Sequence, residues 1–380
     1  MKSNMKKIAI LTSAHSAFDI RIFHKQARSL AKAGYDVTLI AQHDKNETVD
    51  CVKIICLPKP RNRLQRMFGL TLKILLISLK EKADIYHFHD PELIPIGIIF
   101  KIFGKKVIYD IHEDYPKSIL TKDYLPLPIR GFISFILTLL EKLASTIFDS
   151  VIAATDSIKY RFPISHSIAI HNYPFILNTT SIKEASSEKQ DSFFRIIHPG
   201  LLAEVRGINQ ILKALELINR DDVKLVLIGN FITRDYENYV RSLEAWKWVE
   251  YMGPMSHEDV MKNLIKADIG IECSLPIPNY LYAESNKVFE YMSVGLPVLC
   301  SNLPRLQEII EDSICGVCVN PLDPEDIAKA IEYLLERPNL MKEMGRNGQK
   351  AVLEKYNWEQ ESEKLLKVYE KIANHKVKDI

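Results

Sequence analysis

Small groups of residues in this sequence carry most of its chemical potential. One is the stretch from Glu284 to Asn302, Glu-Ser-Asn-Lys-Val-Phe-Glu-Tyr-Met-Ser-Val-Gly-Leu-Pro-Val-Leu-Cys-Ser-Asn. Its pattern predicts a helix that stops at Gly295 in the left-handed conformation, then a short buried strand entered through Pro297. On such a helix Lys287 and Glu290 lie roughly 60° apart. The pair is open to two readings. It is either an i,i+3 ion pair on a solvated face, or a lysine beside a helix N-terminus that holds a diphosphate while the carboxylate accepts from ribose hydroxyls. Arg206-Gly207 at a helix start is a second anion clamp, with the guanidinium as a rigid fork. Its alternative is a surface turn cap. His87, His89 and Asp90 end one apolar run, and His112, Glu113 and Asp114 end another. Histidines at i,i+2 with a following aspartate can hold a metal. The carboxyl ends of parallel strands also collect catalytic groups without one, and that reading is preferred here. Asp19 and Arg21 complete the set: Arg21 is placed to reach a phosphate or an acceptor carboxylate, or to form a helix-start pair with Asp19.

These groups need a scaffold, and the order of elements supplies one. Lys6 to Thr12 is an apolar strand, a helix follows from about Ile20 to Ala33 with Gly34 behind it, and Tyr35 to Ala41 is the next strand. Strand–helix–strand implies a right-handed crossover and a doubly wound α/β sheet. No glycine stands between Met1 and Gly34, which argues against a dinucleotide-binding G-x-G-x-x-G turn. Further strands are expected at 83–90, 104–112 and 151–155, with an apolar helix from Pro128 to about Thr146 and Asp156-Ser157 as the next helix cap. A polar, aperiodic stretch from Leu177 to Asp191 reads as a linker. A second series of strands and helices begins at Phe193, with strands at 223–229, 249–253, 267–272 and 316–320, and Trp358 opens a last helix. The expected domains are therefore 1–176 and 192–357.

Composition narrows the function classes. A chain of 380 residues with 47% hydrophobic and 26% charged residues fits two soluble domains. A net charge of +2 gives no general pull toward nucleic acid. The cysteines are scattered, and Cys315-Gly-Val-Cys318 stands without a second pair, which argues against zinc. With no recognisable signal peptide and no apolar run of ~18 residues, a reducing, cytoplasmic setting is expected. One feature points to a surface: Lys59, Arg61, Arg63 and Arg66 precede the amphipathic stretch Met67 to Leu79. An anionic membrane, the inner face of the plasma membrane, would attract such a rim. The alternative is a helix packed in the first domain with a solvated basic start.

Asn286 to Val298 resembles the donor-site segment of the family 4 (group 1) retaining glycosyltransferases. The resemblance implies the GT-B fold, two Rossmann-like doubly wound domains facing across a cleft. Glu290 matches the second of the family's paired glutamates, while the first falls on Tyr282, with Glu284 close by. The family's Gly-Arg-Leu and Lys-Gly fall on Gly200-Leu201 and Arg206-Gly207, so one usual cation is missing. Gly253 matches the turn that meets the donor base. His-Phe-His-Asp-Pro-Glu-Leu and Tyr-Asp-Ile-His-Glu-Asp-Tyr-Pro resemble a bacterial branch that builds surface polysaccharides, and His112 matches the histidine that contacts the transferred sugar.

The roles implied are catalytic for His112 and Glu290. Gly200, Arg206, Gly253, Asn286, Lys287 and Glu290 bind donor, and Asp19, Arg21, His89, Asp90 and Glu113 form the acceptor or phosphate side. The last helix, 358–380, is implied to cross back onto the first domain. The chemistry implied is metal-independent, front-face transfer from a nucleotide-sugar to a glycan or lipid-linked acceptor, with no separate cofactor. A nucleotide-sugar epimerase and a non-catalytic sugar-nucleotide-binding protein are the alternatives.

Overall fold

The computed structural model describes residues 6–122, 125–177 and 193–374. The expected linker, beyond Leu177, lies outside the described residues. The chain divides into two compact units, one of Met1–Asn172 with Trp358–Ile380 and the other of Tyr173–Asn357.

The first unit is built on an eight-stranded sheet in the order β3-β4-β2-β1-β5-β6-β7-β8. β1 is Lys7–Ser16, β2 Asp36–Gln42, β3 Glu47–Val49 and β4 Val52–Leu57. β5 is Ile85–Phe88, β6 Lys106–Ile111, β7 Ser150–Ala153 and β8 Ser167–Ala169. All neighbours pair in parallel except the β3–β4 hairpin, an edge that periodicity alone did not predict. β1, β5 and β6 are buried almost throughout, as strands covered on both faces must be.

Helix α1 runs in wide π-type turns over Ile20–Ala27 and as α-helix over Arg28–Lys32. Helix α2 does the same over Gln65–Leu70 and Thr71–Glu81. α3 is Ile94–Ile102, α4 Tyr115–Leu120, α5 Leu127–Ile147 and α6 Asp156–Lys159. The cap of α6 is Thr155, which accepts from the Ile158 amide, so the expected Asp156-Ser157 cap sits one residue late. α2, α3 and α5 share one core on one face of the sheet, through Leu70, Ile74, Ile96, Phe100, Ala144 and Phe148. α1 and the last helix, Trp358–Asn374, cover the other face through Ile22, Phe23, Leu365 and Tyr369.

The second unit carries a six-stranded, all-parallel sheet in the order β11-β10-β9-β12-β13-β14. β9 is Phe194–Pro199, β10 Val223–Ile228, β11 Val249–Gly253, β12 Ile269–Glu272, β13 Val298–Ser301 and β14 Gly316–Val319. Between them lie α7 (Ile208–Ile218), α8 (Arg234–Ser242), α9 (His257–Lys266), α10 (Asn286–Val294) and α11 (Pro304–Ser313). α12 (Pro324–Leu335) and α13 (Pro338–Glu354) close the unit, with Asp323 capping α12. Gly295 ends α10 at φ +80°, where a side chain would be strained.

Candidate active site

Each unit gathers polar side chains at the carboxyl ends of its central strands, the end where α/β sheets bind ligands.

In the first unit the centre is Asp110, fully buried on β6. It stands two residues before His112, so both side chains leave the same face of the strand. Arg21, from the first turn of α1, forks onto it with Nη2 at 3.0 and 3.2 Å from the two carboxylate oxygens, and its Nη1 donates to the Ile170 carbonyl at 2.8 Å. The Gln26 amide also donates to Asp110, at 2.5 Å. Burial opposes the Asp110 charge, but Arg21 and the His87 ring overcome it and hold the carboxyl well below the usual carboxylate range. Arg21 is therefore not an outward-facing phosphate ligand: its anion is internal. Nor does it pair with Asp19, which caps α1 by accepting from the Arg21 and Ile22 amides, each at 2.9 Å.

His87 and His89 project to the same side of β5, with ring centroids 4.6 Å apart. His87 Nδ1 meets the Tyr369 hydroxyl at 2.7 Å, and His89 Nδ1 meets His112 Nε2 at 2.9 Å. Burial, with Arg21 adding to it and Asp110 opposing, pushes His112 down to about 4. The imidazole is thus neutral at pH 7, with Nε2 occupied by His89 and Nδ1 left for a ligand.

His87, His89 and Asp110 bring three potential metal-ligating atoms within 4.8 Å of one another. The Arg21 charge already in contact with that carboxylate opposes a second cation there. Asp90 is buried and tied inward, accepting from Thr12 Oγ1 at 2.8 Å and the Ser13 amide at 2.6 Å, so it pins the carboxyl-terminal part of β1. Glu113 is exposed on the turn beyond β6.

His15 is a group the sequence reading passed over. It lies near the end of β1, with its ring centroid 5.0 Å from that of His112 and its Nδ1 3.5 Å from Asp19. Burial lowers its pKa, but the Asp19 hydrogen bond and the Asp90 charge outweigh that and raise it.

In the second unit the centre is Glu272, buried at the end of β12. Lys287, from the first turn of α10, pairs with it, and the Ser274 hydroxyl donates to it. Arg206 Nη1 lies 4.0 Å from the same carboxylate, and its guanidinium stacks over the Tyr280 ring at 4.5 Å. Burial raises the Glu272 pKa, but Lys287, His198 and Arg206 overcome it and bring it to about 2. His198, buried at the end of β9, is lowered to about 3 by burial and by the Lys287 charge.

Arg206 is aimed by Gly207, whose φ is +74° and where any Cβ would fall 2.0 Å from the Cys273 carbonyl oxygen. Gly200 faces the Lys287 side chain, 3.9 Å from where its own Cβ would lie. Ser285 caps α10 without a side-chain bond, which leaves first-turn amides for an anion, and Asn286 stands exposed at that start.

The i,i+3 ion pair, one of the two readings of that stretch, does not form. Lys287 turns to Glu272, while Glu290 meets His257 Nε2 at 3.0 Å. That contact ties Glu290 to the Gly253 turn, because His257 opens α9 directly after it. Glu284 is held by Arg305 Nη2 at 2.7 Å. Glu272, His198 and His257 were missed by sequence reasoning. A lone carboxylate closing the apolar run Ile269-Gly-Ile-Glu272 was the available signal, since buried acids are rare unless paired.

The sheets, their strand-end clusters and the glycine-aimed arginine are those of a two-domain GT-B fold. The family model for glycosyl transferases group 1 matches residues 180–351, and that for glycosyltransferase family 4 matches residues 21–162. The chain belongs to the group 1, family 4 glycosyltransferases.

Over 387 residues it is 23% identical to the capsular polysaccharide biosynthesis glycosyltransferase CapM of Staphylococcus aureus, covering 94% of this chain and 96% of that protein. It is 30% identical over 186 residues to an uncharacterised glycosyltransferase of Methanocaldococcus jannaschii, covering 48% of this chain and under half, 46%, of that protein. In structure it resembles the Anabaena protein HepE, solved in complex with UDP and glucose. The TM-score is 0.73 at 15% identity, over 96% of this chain and 100% of that one.

Proposed function

We propose that the protein is a retaining, metal-independent glycosyltransferase that moves a sugar from a nucleotide-sugar donor to a glycan or lipid-linked saccharide in surface-polysaccharide synthesis. The observation that carries this reading is the convergence of Lys287 and Arg206 on the single buried carboxylate of Glu272, beside the uncapped start of α10. Two cations against one anion leave a positive charge in a nearly dry site, which a leaving diphosphate would neutralise. Glu272 keeps the half-buried Lys287 oriented and ionised until the donor arrives. Glu290, steadied by His257, accepts hydroxyl hydrogen bonds from the donor.

In the reaction proposed, the bond from the anomeric carbon to the diphosphate oxygen breaks, and the acceptor oxygen adds on the same face. The acceptor proton passes to the leaving phosphate oxygen. Neutral His112 contacts the transferred sugar through Nδ1, and Asp110 and His89 fix its ring. The setting proposed is the inner face of the plasma membrane, met through Lys59, Arg61, Arg63 and Arg66. Of these Arg66 is partly engaged by Glu92 at 3.0 Å. CapM, a capsular enzyme by name, supports the class of product. HepE with UDP and glucose supports the class of donor.

A thermal-shift screen of the intact chain against UDP-, GDP-, ADP- and CMP-sugars tests the reading. One nucleotide class should raise the melting temperature in a concentration-dependent way. The matching donor should then be consumed only when a saccharide acceptor is supplied, apart from slow hydrolysis. Conversion of donor to its epimer without acceptor would replace the transferase with an epimerase.

A further inference from the structure

Helix α5 turns its largest apolar side chains outward. Phe132, Phe135, Ile136, Leu139, Leu140 and Leu143 stand on its solvent side, with Phe132 66% and Phe135 60% exposed. Its inward side sets polar groups beside Ala144 and Ile147. Ser134 donates to the Pro116 carbonyl at 2.8 Å, Glu141 is buried against Arg161 and accepts from the Tyr109 hydroxyl at 3.2 Å, and Ser145 is buried. A helix folded only to close a core shows the reverse pattern.

α2, which packs into the same core on the same face of the sheet, repeats the feature. Ile74 points inward, while Phe68, Leu72, Leu76 and Leu79 are exposed. The two helices thus expose these ten large apolar side chains, in rows on each helix and not scattered singly.

The charges on these stretches have one sign. Residues 58–80 contain Lys59, Arg61, Arg63, Arg66, Lys73 and Lys80 and no acid. Residues 125–147 contain Arg130 and Lys142, and their one acid is the buried Glu141. A second copy using the same face about a twofold axis would set cations against cations with no exposed carboxylate between them. An anionic lipid surface meets both features at once, cations at the headgroups and aromatic and leucine side chains at the acyl boundary. No described helix is long and apolar enough to cross a membrane, so the helices would lie along it.

We propose that the outward faces of α2 and α5 form one membrane-docking surface, with α5 supplying the inserted apolar side chains and the α2 region the headgroup contacts. For the class of acceptor this rests on the transferase reading; the docking itself rests on the exposed faces. α5 leads from β6, through α4, to the parallel strand β7, so it starts at the end of the sheet where His112 lies. A lipid-borne acceptor held in that surface would meet the sheet at its catalytic end.

The test is co-sedimentation of the full chain with vesicles of phosphatidylglycerol and phosphatidylethanolamine, and with phosphatidylcholine alone, at low and high salt. The wild type should bind the anionic vesicles, and part of that binding should survive high salt. Phe132→Ser with Phe135→Ser should cut the vesicle-bound partition at least ~10-fold, from the apolar area withdrawn. Lys59→Gln with Arg61→Gln should remove only the preference for anionic lipid. Melting curves and donor hydrolysis without vesicles should be the same for wild type and both variants, which separates lost docking from lost folding. Wild-type binding to neither vesicle, or undiminished binding by the double serine variant, would overturn the proposal. So would a wild-type dimer that the serines dissolve, since a second copy would then cover the face. Absence of donor turnover in every form would sink the transferase reading and leave the docking result standing.

Discussion

The strand-end clusters of the two units use similar residue types to opposite ends. In the first, the Arg21 guanidinium is consumed by Asp110, the histidines bond to one another or to Tyr369, and Asp90 is spent on the carboxyl-terminal part of β1. Arg21 and Asp110 neutralise each other within the protein, which leaves a rigid frame with His15 and His112 at its edge. In the second, Lys287 and Arg206 share one carboxylate and remain partly exposed. Its charges do not balance. A closed network holds a group still, whereas an open one awaits a ligand's charge, and that contrast separates a positioning site from a binding site.

The largest effect should come from opening the closed network. Asp110→Asn leaves the buried Arg21 without its anion, and stranding one partner of a buried pair costs ~3–5 kcal/mol. Chemical denaturation should show that loss in the transition that involves the first unit. A variant as stable as wild type would mean that the Arg21–Asp110 fork is not what holds α1 to the sheet.

Breaking the open network at the more exposed Arg206 should leave the fold largely intact and cost catalysis instead, whereas removing Lys287 should cost stability as well, by stranding Glu272. Arg206→Ala or Lys287→Ala should lower kcat/KM for the donor by at least ~2 kcal/mol, about 30-fold, the scale of a lost charge-assisted contact in a dry site. Wild-type turnover in both variants would place the diphosphate elsewhere.

Acid should distinguish the buried imidazoles from the buried carboxylate by window. The folded pKa of His112 is depressed from 6.5 to about 4, so the unfolded chain takes up that proton first. The associated stability is present above pH 6.5 and is lost as pH falls toward 4. Glu272, depressed from 4.5 to about 2, loses its contribution only below pH 4.5. Melting temperature against pH should therefore begin to fall below 6.5, where the buried His198 and His89, both depressed further by burial, contribute as well, so His112→Asn should make that first limb shallower while leaving the second. His112→Asn should also bind free nucleoside diphosphate nearly normally and transfer poorly. An unchanged first limb would assign it to another histidine, with His198 the next candidate at about 3.

The sequence made the open cluster more legible than the closed one. Lys287, Arg206 and Gly295 sit at element ends, where residue type reports geometry: a cation at a helix start, a glycine where φ must be positive. The partners they find are set by strand order. Glu272 reaches Lys287 because β12 lies between β9 and β13, which pairing alone decides. Arg21 shows the same limit from the other side. A loop arginine after the first strand reads as a ligand for phosphate until the sheet places Asp110 within reach. The β3–β4 edge was hidden because a three-residue strand carries too few positions to show alternation. α5 hid its outward apolar face because an apolar run predicts a helix without saying which side is wet.

The smallest effect concerns the contact that ties Glu290 to the Gly253 turn. The His257 side chain is 47% exposed, so its bond to Glu290 should contribute under ~1 kcal/mol to folding. His257→Ala should then leave the melting temperature nearly unchanged. If Glu290 accepts from the donor, the freed carboxylate samples more rotamers, and the donor KM should rise a few-fold with kcat little changed. Glu290→Gln keeps the shape and removes the charge. It should damage donor use more than His257→Ala does, and removing His257 as well should add nothing further, because the histidine acts only through the carboxylate. Steady-state kinetics on the two single variants and the double variant read this directly. Fully additive losses would give His257 a donor contact of its own, and no loss in Glu290→Gln would remove Glu290 from the site.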